Sequence, residues 1–324
     1  MKILVTGGAG YIGSITVRSL QNAGHEVVVF DNLICGHKEA LTNTSLIIGD
    51  LLNKEKIDSV FQSNKYDAVI HFAAYALAQE SMEDPKKYFE NNIQGGLNLL
   101  EAMRKGNCNK IIFSSTCAVY GYPDKLPVTE KEKFAPVSVY GESKLAFEKI
   151  LNWYDEIYNI KHISLRYFNA AGATLDGLLG ENHHPETHLI PLLLQTALGK
   201  KEIFLINGND YPTKDGTCIR DYIHVVDLAE AHIKALEKLN GEINSRVYNI
   251  GSEKAVSVKE VITMVEKVTG VIIPTKIIAR RQGDPAAIWA DSTKIKKELG
   301  WEPKYSDLKT IIETAWKWHK NHEK

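Results

Sequence analysis

Short apolar runs alternate with longer segments of helical period along the first half of the chain. The runs are Lys2–Thr6, Glu26–Phe30, Ser45–Gly49, Ala68–His71, Lys110–Ser114 and His162–Arg166. Most are rich in β-branched residues and nearly continuous in apolar character, as strands are when both faces are covered. Between them, Ile12–Ala23, Lys54–Ser63, Pro85–Lys105 and Ser138–Tyr158 carry the spacing of helices. Strand and helix in alternation predict an α/β fold built on a doubly wound parallel sheet.

After Arg166 the rhythm breaks, and Phe168–Pro191 shows no clear period. Later residues mix short helices (Leu189–Leu198, Val226–Leu239, Ser257–Thr269, Ser306–His319) with short strands, a smaller mixed α/β part. Val247–Ile250 reads as one more buried strand. We therefore expect two domains, residues 1–170 and 171–324, with a segment near 220–250 returning to the first. The length of 324 residues agrees with about two domains at roughly 150 residues each.

Composition narrows the function classes. Hydrophobic residues are 44% and charged residues 24%, which describes an ordinary globular chain. The net charge of -1 lacks the basic excess of a protein that grips duplex nucleic acid, so no nucleic-acid partner is expected. No apolar run approaches the ~20 residues of a membrane helix, and Met1–Thr6 leads straight into glycines without the apolar region of a signal peptide. Cys35, Cys108, Cys117 and Cys218 form no C-x-x-C pair and match no zinc spacing. These features predict a cytoplasmic protein with free thiols and no membrane partner.

The sharpest motif is Gly7-Gly8-Ala9-Gly10-Tyr11-Ile12-Gly13, between a strand and a helix. Glycines there let backbone amides approach a pyrophosphate, and the helix N-terminus adds partial positive charge. The next strand ends at Asp31, where a carboxylate takes both hydroxyls of an adenosine ribose and repels a 2′-phosphate. No arginine follows closely, so NAD is favoured over NADP.

A second motif, Tyr140-x-x-x-Lys144, lies on the helix expected over Ser138–Tyr158. The i, i+4 spacing puts both side chains on one face, and an ammonium near a phenol lowers its pKa from ~10 toward neutrality. Tyr140 is then a candidate general base and acid. Tyr305 and Lys309 share the spacing, but only Tyr140 follows the end of a sheet strand, Phe113-Ser114-Ser115-Thr116. Thr116 is the natural third member, its hydroxyl relaying a proton.

The glycine spacing, Gly49-Asp50-Leu51, His71-Phe72-Ala73-Ala74 and the Tyr140/Lys144 pair resemble the extended short-chain dehydrogenase/reductase superfamily, which has a Rossmann-like fold. Within it the chain is similar, nearly end to end, to the family of UDP-glucose 4-epimerases. The carrying segments are Val5–Ser14, Asp31–Leu33, Phe113–Gly121, Leu165–Asn169, Gly208–Thr213 and Asp215–Val225. Related dehydratases carry Asp-Glu after the active-site threonine, an acid–base pair for eliminating water. Here Cys117-Ala118 follows Thr116, leaving return of the hydride as the onward path.

The resemblance implies an isomerase that interconverts UDP-galactose and UDP-glucose through NAD-dependent oxidation at C4; the alternatives are a 4-epimerase of another UDP-sugar, UDP-GlcNAc or UDP-glucuronate, and a non-catalytic NAD-sensing protein. It implies cofactor contacts from Gly7, Gly10, Tyr11, Ile12, Gly13, Asp31, Asn32, Asp50, Leu51, Phe72, Ala73, Asn92, Ser114, Tyr140, Lys144, Tyr167 and Phe168. It implies substrate contacts from Thr116, Tyr140, Asn169, Leu189, Arg220, Arg281 and Asp284, with the two guanidiniums on the pyrophosphate. It also implies a homodimer, through apolar faces of the Pro85–Lys105 and Ser138–Tyr158 helices. The chain departs from the family pattern at Ala76, where a lysine is common, and at Cys35, His188 and Asn207. Ile288 falls where residue size bounds the sugar cavity. His183, His184 and His188 cluster near Glu181 and Glu186, but hydride transfer needs no metal. The loop is read as a substrate loop, with no metal site.

Overall fold

The computed structural model describes residues 1–241, 246–281 and 283–322. Its centre is a parallel sheet of seven strands. Six are β1 (Lys2–Thr6), β2 (Glu26–Asp31), β3 (Ser45–Ile48), β4 (Ala68–His71), β5 (Lys110–Thr116) and β6 (Lys161–Tyr167). The seventh is Val247–Ile250, which pairs in parallel with β6. The order across the sheet is Val247–Ile250, β6, β5, β4, β1, β2, β3. The α/β doubly wound fold expected from the apolar pattern is the one observed. Strand β5 extends two residues beyond the expected end, to Thr116.

Alternation of side chains along the strands splits the core in two. Ile3, Val5, Val27, Val29 and Ile70 face helices Tyr11–Asn22 and Val225–Lys238 through Val17, Leu20, Leu228 and Leu236. Leu4, Val28, Phe30, Val69 and Phe113 face the other way, against Ile57, Val60, Leu99, Phe147 and Leu151. Both faces are covered, which is why these strands lack polar alternation. A helix and a strand from the second half of the sequence thus complete the first-half sheet.

The remaining residues form a smaller mixed unit. Ile219–His224 lies between Ala255–Ser257 and Ala287–Ile288, and Asn169–Ala171 pairs with it in parallel. Phe204–Asn207 and Thr275–Ile278 make a parallel pair. Helices Leu189–Ala197, Val258–Thr269 and Leu308–Asn321 pack together through Leu193, Val261, Val265 and Ile312. Among the described residues no helix is long and apolar enough to cross a membrane.

The expected single helix Pro85–Lys105 is one helical run interrupted by a π turn at Glu90–Gln94. Two short helices carry too few residues for a period to show, Ala78–Glu83 and Thr293–Leu299. Ile219–His224 escapes a reading by apolar pattern because Arg220 and Asp221 interrupt it. Buried Asp221 accepts hydrogen bonds from the amides of Ser252 and Ala290 at 2.8 and 3.1 Å.

Asp227 ties the C-terminal segment to the sheet. Its buried carboxylate accepts from the amides of Lys304 and Tyr305 at 2.9 and 2.8 Å and from the Ser306 hydroxyl. Asp227→Ala strands those three donors, and we expect a loss of about 2–4 kcal/mol in urea unfolding. An unchanged midpoint would contradict this role.

Candidate active site

The sheet order reverses between β1 and β4, and in doubly wound folds ligands bind beyond the carboxyl ends of strands at such a reversal. β1 runs there into the glycine loop. Gly7 has φ +72°, and a Cβ on it would stand 2.5 Å from the Ala73 nitrogen. A Cβ on Gly13 would stand 2.2 Å from the Gly7 carbonyl oxygen, so the loop folds back on its own helix only with glycine. Gly10 precedes helix Tyr11–Asn22 and no side chain caps that end. The first helical amides, those of Tyr11, Ile12 and Gly13, have no acceptor within the helix and suit an anion.

Asp31 closes the other side of the loop. Its buried carboxylate accepts from the Ala9 and Leu33 amides, each at 2.9 Å, and keeps acceptor capacity for hydroxyls. Asn32 donates its side-chain amide to Asp50 at 2.9 Å, and Asn98 holds the Leu51 carbonyl at 2.8 Å. The amides of Phe72 and Ala73 both donate to the Thr6 carbonyl, at 2.9 and 3.1 Å, pinning the loop after β4 against the glycines.

Tyr140, Lys144 and Thr116 come together at the end of β5. Ser138 caps helix Val139–Tyr158, so Tyr140 lies in its first turn. The Lys144 ammonium donates to the Ser114 carbonyl at 2.9 Å and sits 4.8 Å from the Phe113 ring centre. It is 6.0 Å from the Tyr140 ring centre. Thr116 accepts the Ala118 amide at 3.1 Å, and its hydroxyl lies close enough to the Tyr140 phenol to pull its pKa down. Ser114 and Tyr167 share a hydroxyl contact of 2.6 Å. Phe168 packs beside Val119, Tyr120 and Leu145.

Burial governs the electrostatics. It pushes Lys144 down to about 7, with the Glu148 carboxylate pulling the other way. It drives the Tyr140 phenol well above its ordinary value; the nearby Tyr167 adds to the rise and the Thr116 hydroxyl opposes it. The expected lowering of the phenol by the ammonium is thus overridden within the chain itself. Desolvation disfavours both charged forms, and the ammonium is engaged by the Ser114 carbonyl. A phenolate here calls for a further positive charge. His71, buried beneath and bonded to Thr6 at 2.7 Å, is held neutral, its pKa lowered to about 3 by burial and then by Lys144.

Further side chains scattered in sequence brace these groups; Asn92 is among the expected cofactor contacts, whereas Ser81, Glu148 and Arg166 are not among the residues expected at the site. Ser81, on the short helix Ala78–Glu83, accepts the Tyr140 amide at 3.1 Å. Asn92, in the π turn, brackets the Tyr75 backbone at 3.0 and 3.1 Å and reaches the Ser143 hydroxyl at 3.0 Å. Its amide therefore holds the loop after β4 to the Tyr140 helix; π turns of this kind recur at functional sites. Behind that helix, Arg166 forks onto Glu148, which also takes the Ser115 hydroxyl.

In the second half Arg220, Arg281 and Asp284 meet. Arg220 donates to the carbonyls of Ile219 and Pro285 at 2.9 and 2.8 Å and stands 3.4 Å from Asp284. Arg281 lies 3.7 Å from the same carboxylate. Arg280 is the bystander: it pairs with Asp210 over the Tyr211 ring. Asn169 opens the strand beside Ile219–His224, and Leu189 begins its helix directly after His188. Ile288 is buried against Val119, Leu145 and Phe168. Ala76 and Cys35 are exposed. Tyr11 bridges the halves, its hydroxyl donating to the Gly172 carbonyl at 2.6 Å.

A buried lysine with a lowered pKa releases its proton on folding. Its penalty is full at and below pH 7 and vanishes near its unfolded value of about 10.4. Melting temperatures of Lys144→Met minus those of the parent should therefore be highest at pH 7 and decline as pH rises to about 10. A difference independent of pH would show that Lys144 is not held below its ordinary value.

Comparison with known proteins places these residues in context. Residues 3–251 match the NAD dependent epimerase/dehydratase family. The UDP-glucose 4-epimerase of Lacticaseibacillus casei is 51% identical over 99% of this chain and 98% of its own. The crystal structure of UDP-glucose 4-epimerase from Brucella ovis with NAD superposes with TM-score 0.94 at 44% identity, covering 97% of each chain. That from Bifidobacterium longum with NAD+ and UDP gives TM-score 0.95 at 38% identity, covering 100% of this chain and 99% of its own.

Proposed function

The chain belongs to the NAD dependent epimerase/dehydratase family, and from that membership we propose that it is an isomerase interconverting UDP-galactose and UDP-glucose. The observation that carries this reading is the meeting of Tyr140, Lys144 and Thr116 beside a glycine loop and Asp31, in a chain 51% identical to such an epimerase along nearly its whole length. The reaction oxidises the sugar at C4, lets the 4-keto sugar turn, and returns the hydride to the other face.

The residues present fit NAD. The cradle of Gly7–Gly13 leaves backbone amides open to a pyrophosphate, and Asp31 accepts ribose hydroxyls while its charge repels a 2′-phosphate. When bound, NAD supplies the hydride acceptor and a positively charged ring. Tyr140 takes the proton of the 4-hydroxyl, and Thr116 orients that hydroxyl and relays the proton. Lys144, anchored on the Ser114 carbonyl, would help to hold the cofactor and would lend its charge to the phenolate. Asn92 and Ser81 are positioning residues for the Tyr140 helix.

The work divides between a cofactor half, residues 1–170, and a substrate half, residues 171–324, with helix Val225–Lys238 and strand Val247–Ile250 serving the first. Arg220 and Arg281 bind the UDP pyrophosphate, because guanidiniums fork onto phosphate oxygens. Asp284 holds both and takes a ribose hydroxyl, while Asn169 and Leu189 border phosphate and uracil. The diphosphate is held firmly and the hexose loosely, as a sugar that must turn requires. Free thiols at Cys35, Cys108, Cys117 and Cys218 support a cytoplasmic setting.

Tyr140→Phe should lower kcat for UDP-galactose about a thousandfold while NAD stays bound. Turnover at the parent rate would remove Tyr140 from the proton-transfer role.

The chain functions as a homodimer in this reading. Trp153 and Ile157, 60% and 63% exposed, lie one turn apart on the Tyr140 helix, with Phe89 exposed on the neighbouring one. Burying such a patch favours association of copies. Trp153→Glu with Ile157→Glu should shift the sedimentation coefficient from dimer to monomer; an unchanged coefficient would place the interface elsewhere.

A further inference from the structure

Four metal-ligating side chains converge on the loop before the Leu189 helix, and the proposed hydride transfer employs none of the four. Glu181, His183, Glu186 and His188 each bring a ligand atom to within 4.8 Å of the other three. Both imidazoles turn Nδ1 toward Glu181, His188 at 2.8 Å and His183 at 3.2 Å. The same nitrogens stand 3.0 and 3.9 Å from Glu186. Tetrahedral Zn2+ with ligands at ~2.0–2.1 Å has ligand–ligand edges of about 3.3 Å. The four separations scatter around that edge.

Charge and hydrogen bonding point the same way. The side chains of Glu181 and Glu186 are only 6% and 5% exposed, and neither pairs with a lysine or arginine among the described residues. Two buried carboxylates need positive charge beside them; in the chain without a cation the His188 ring stands against both and hydrogen-bonds Glu186 at 3.0 Å, and a divalent cation would take over that role. Nδ1 of His183 is buried and makes no hydrogen bond despite its nearness to Glu181, so its ring nitrogen aims at neither carboxylate as a donor would. A ring nitrogen set 3.2 and 3.9 Å from two carboxylates, outside hydrogen-bond geometry, suits a cation ligand. The amides of Thr187 and His188 hold Glu186 at 2.7 and 2.8 Å, as outer partners fix a metal ligand.

We propose that Glu181, His183, Glu186 and His188 form a structural site for a divalent cation of the zinc class. Four protein ligands, two nitrogen and two oxygen, close the coordination sphere, which makes the site structural and not catalytic. Its place in the fold gives the cation a task. His183 lies edge-on to Tyr11 of the glycine-loop helix, at 6.3 Å between ring centres. His37 of the Asp31 loop contacts the Asn182 carbonyl at 3.0 Å. His188 directly precedes the Leu189 helix. A cation here clips the loop that joins the cofactor half to the substrate half.

The test uses the full chain, stripped with chelator and titrated with Zn2+ alone. One Zn2+ per chain by elemental analysis, a raised melting temperature and the intense visible spectrum of tetrahedral Co2+ are expected. His183→Ala and His188→Ala should each weaken Zn2+ binding by at least about tenfold, and His184→Ala should not. Circular dichroism and NAD retention report whether each variant folds, and the parent's stoichiometry and Co2+ spectrum stand without them. Absence of stoichiometric Zn2+ and Co2+ binding, or equal binding by the His183→Ala/His188→Ala double variant, would overturn the site. Neither outcome bears on the epimerase reading, which Tyr140→Phe tests separately.

Discussion

Lys144 is buried with its ammonium on the Ser114 carbonyl, and Tyr140 is buried one helical turn away. At that depth water stabilises neither an ammonium nor a phenolate, so burial lowers the Lys144 pKa to about 7 and raises that of Tyr140. In the proposed mechanism the remaining positive charge comes with the bound cofactor. A phenolate that forms only when the positive ring is bound ties acid–base chemistry to the presence of the hydride acceptor. The hydrophobic packing of the sheet, the Ser138 cap and the Asn92 brace all serve to hold these two groups at this depth.

The same economy shows in the rest of the fold. Seven parallel strands bring the ends of β1, β2 and β5 to one edge, which carries the glycine loop, Asp31 and Thr116. The helix Val225–Lys238 and the strand Val247–Ile250 come from the second half of the chain yet pack on the first-half sheet. Cofactor and substrate residues are thereby joined by chain crossings and by contacts such as Tyr11 with Gly172. Near-neutral net charge suits two anionic ligands because the positive groups are few and local: a helix terminus, Lys144, Arg220 and Arg281.

The central sheet was legible because covered parallel strands are almost wholly apolar, and Lys2–Thr6 and Ala68–His71 read with their observed ends. The glycine loop, Tyr140 and Lys144 were legible because their chemistry imposes local spacing. Ile219–His224 was not, since its Arg220 and Asp221 are satisfied by partners distant in sequence. The π turn at Glu90–Gln94 leaves no pattern that distinguishes it from ordinary helix. Spacing alone does not show how far burial opposes the lowering of the Tyr140 pKa in the chain without cofactor. An i, i+4 pair looks favourable on a helix face, but depth of burial reverses the balance, and depth is a tertiary property.

The most direct measurement is the ionisation of Tyr140 in the NAD-loaded protein, followed by the ultraviolet difference absorbance of phenolate across pH and compared with Tyr140→Phe. The account predicts one tyrosine that ionises near neutrality with NAD bound and is missing from the variant. If every tyrosine of the loaded protein ionised only above about pH 10 while UDP-galactose still turned over at neutral pH, the cofactor-dependent phenolate would be excluded.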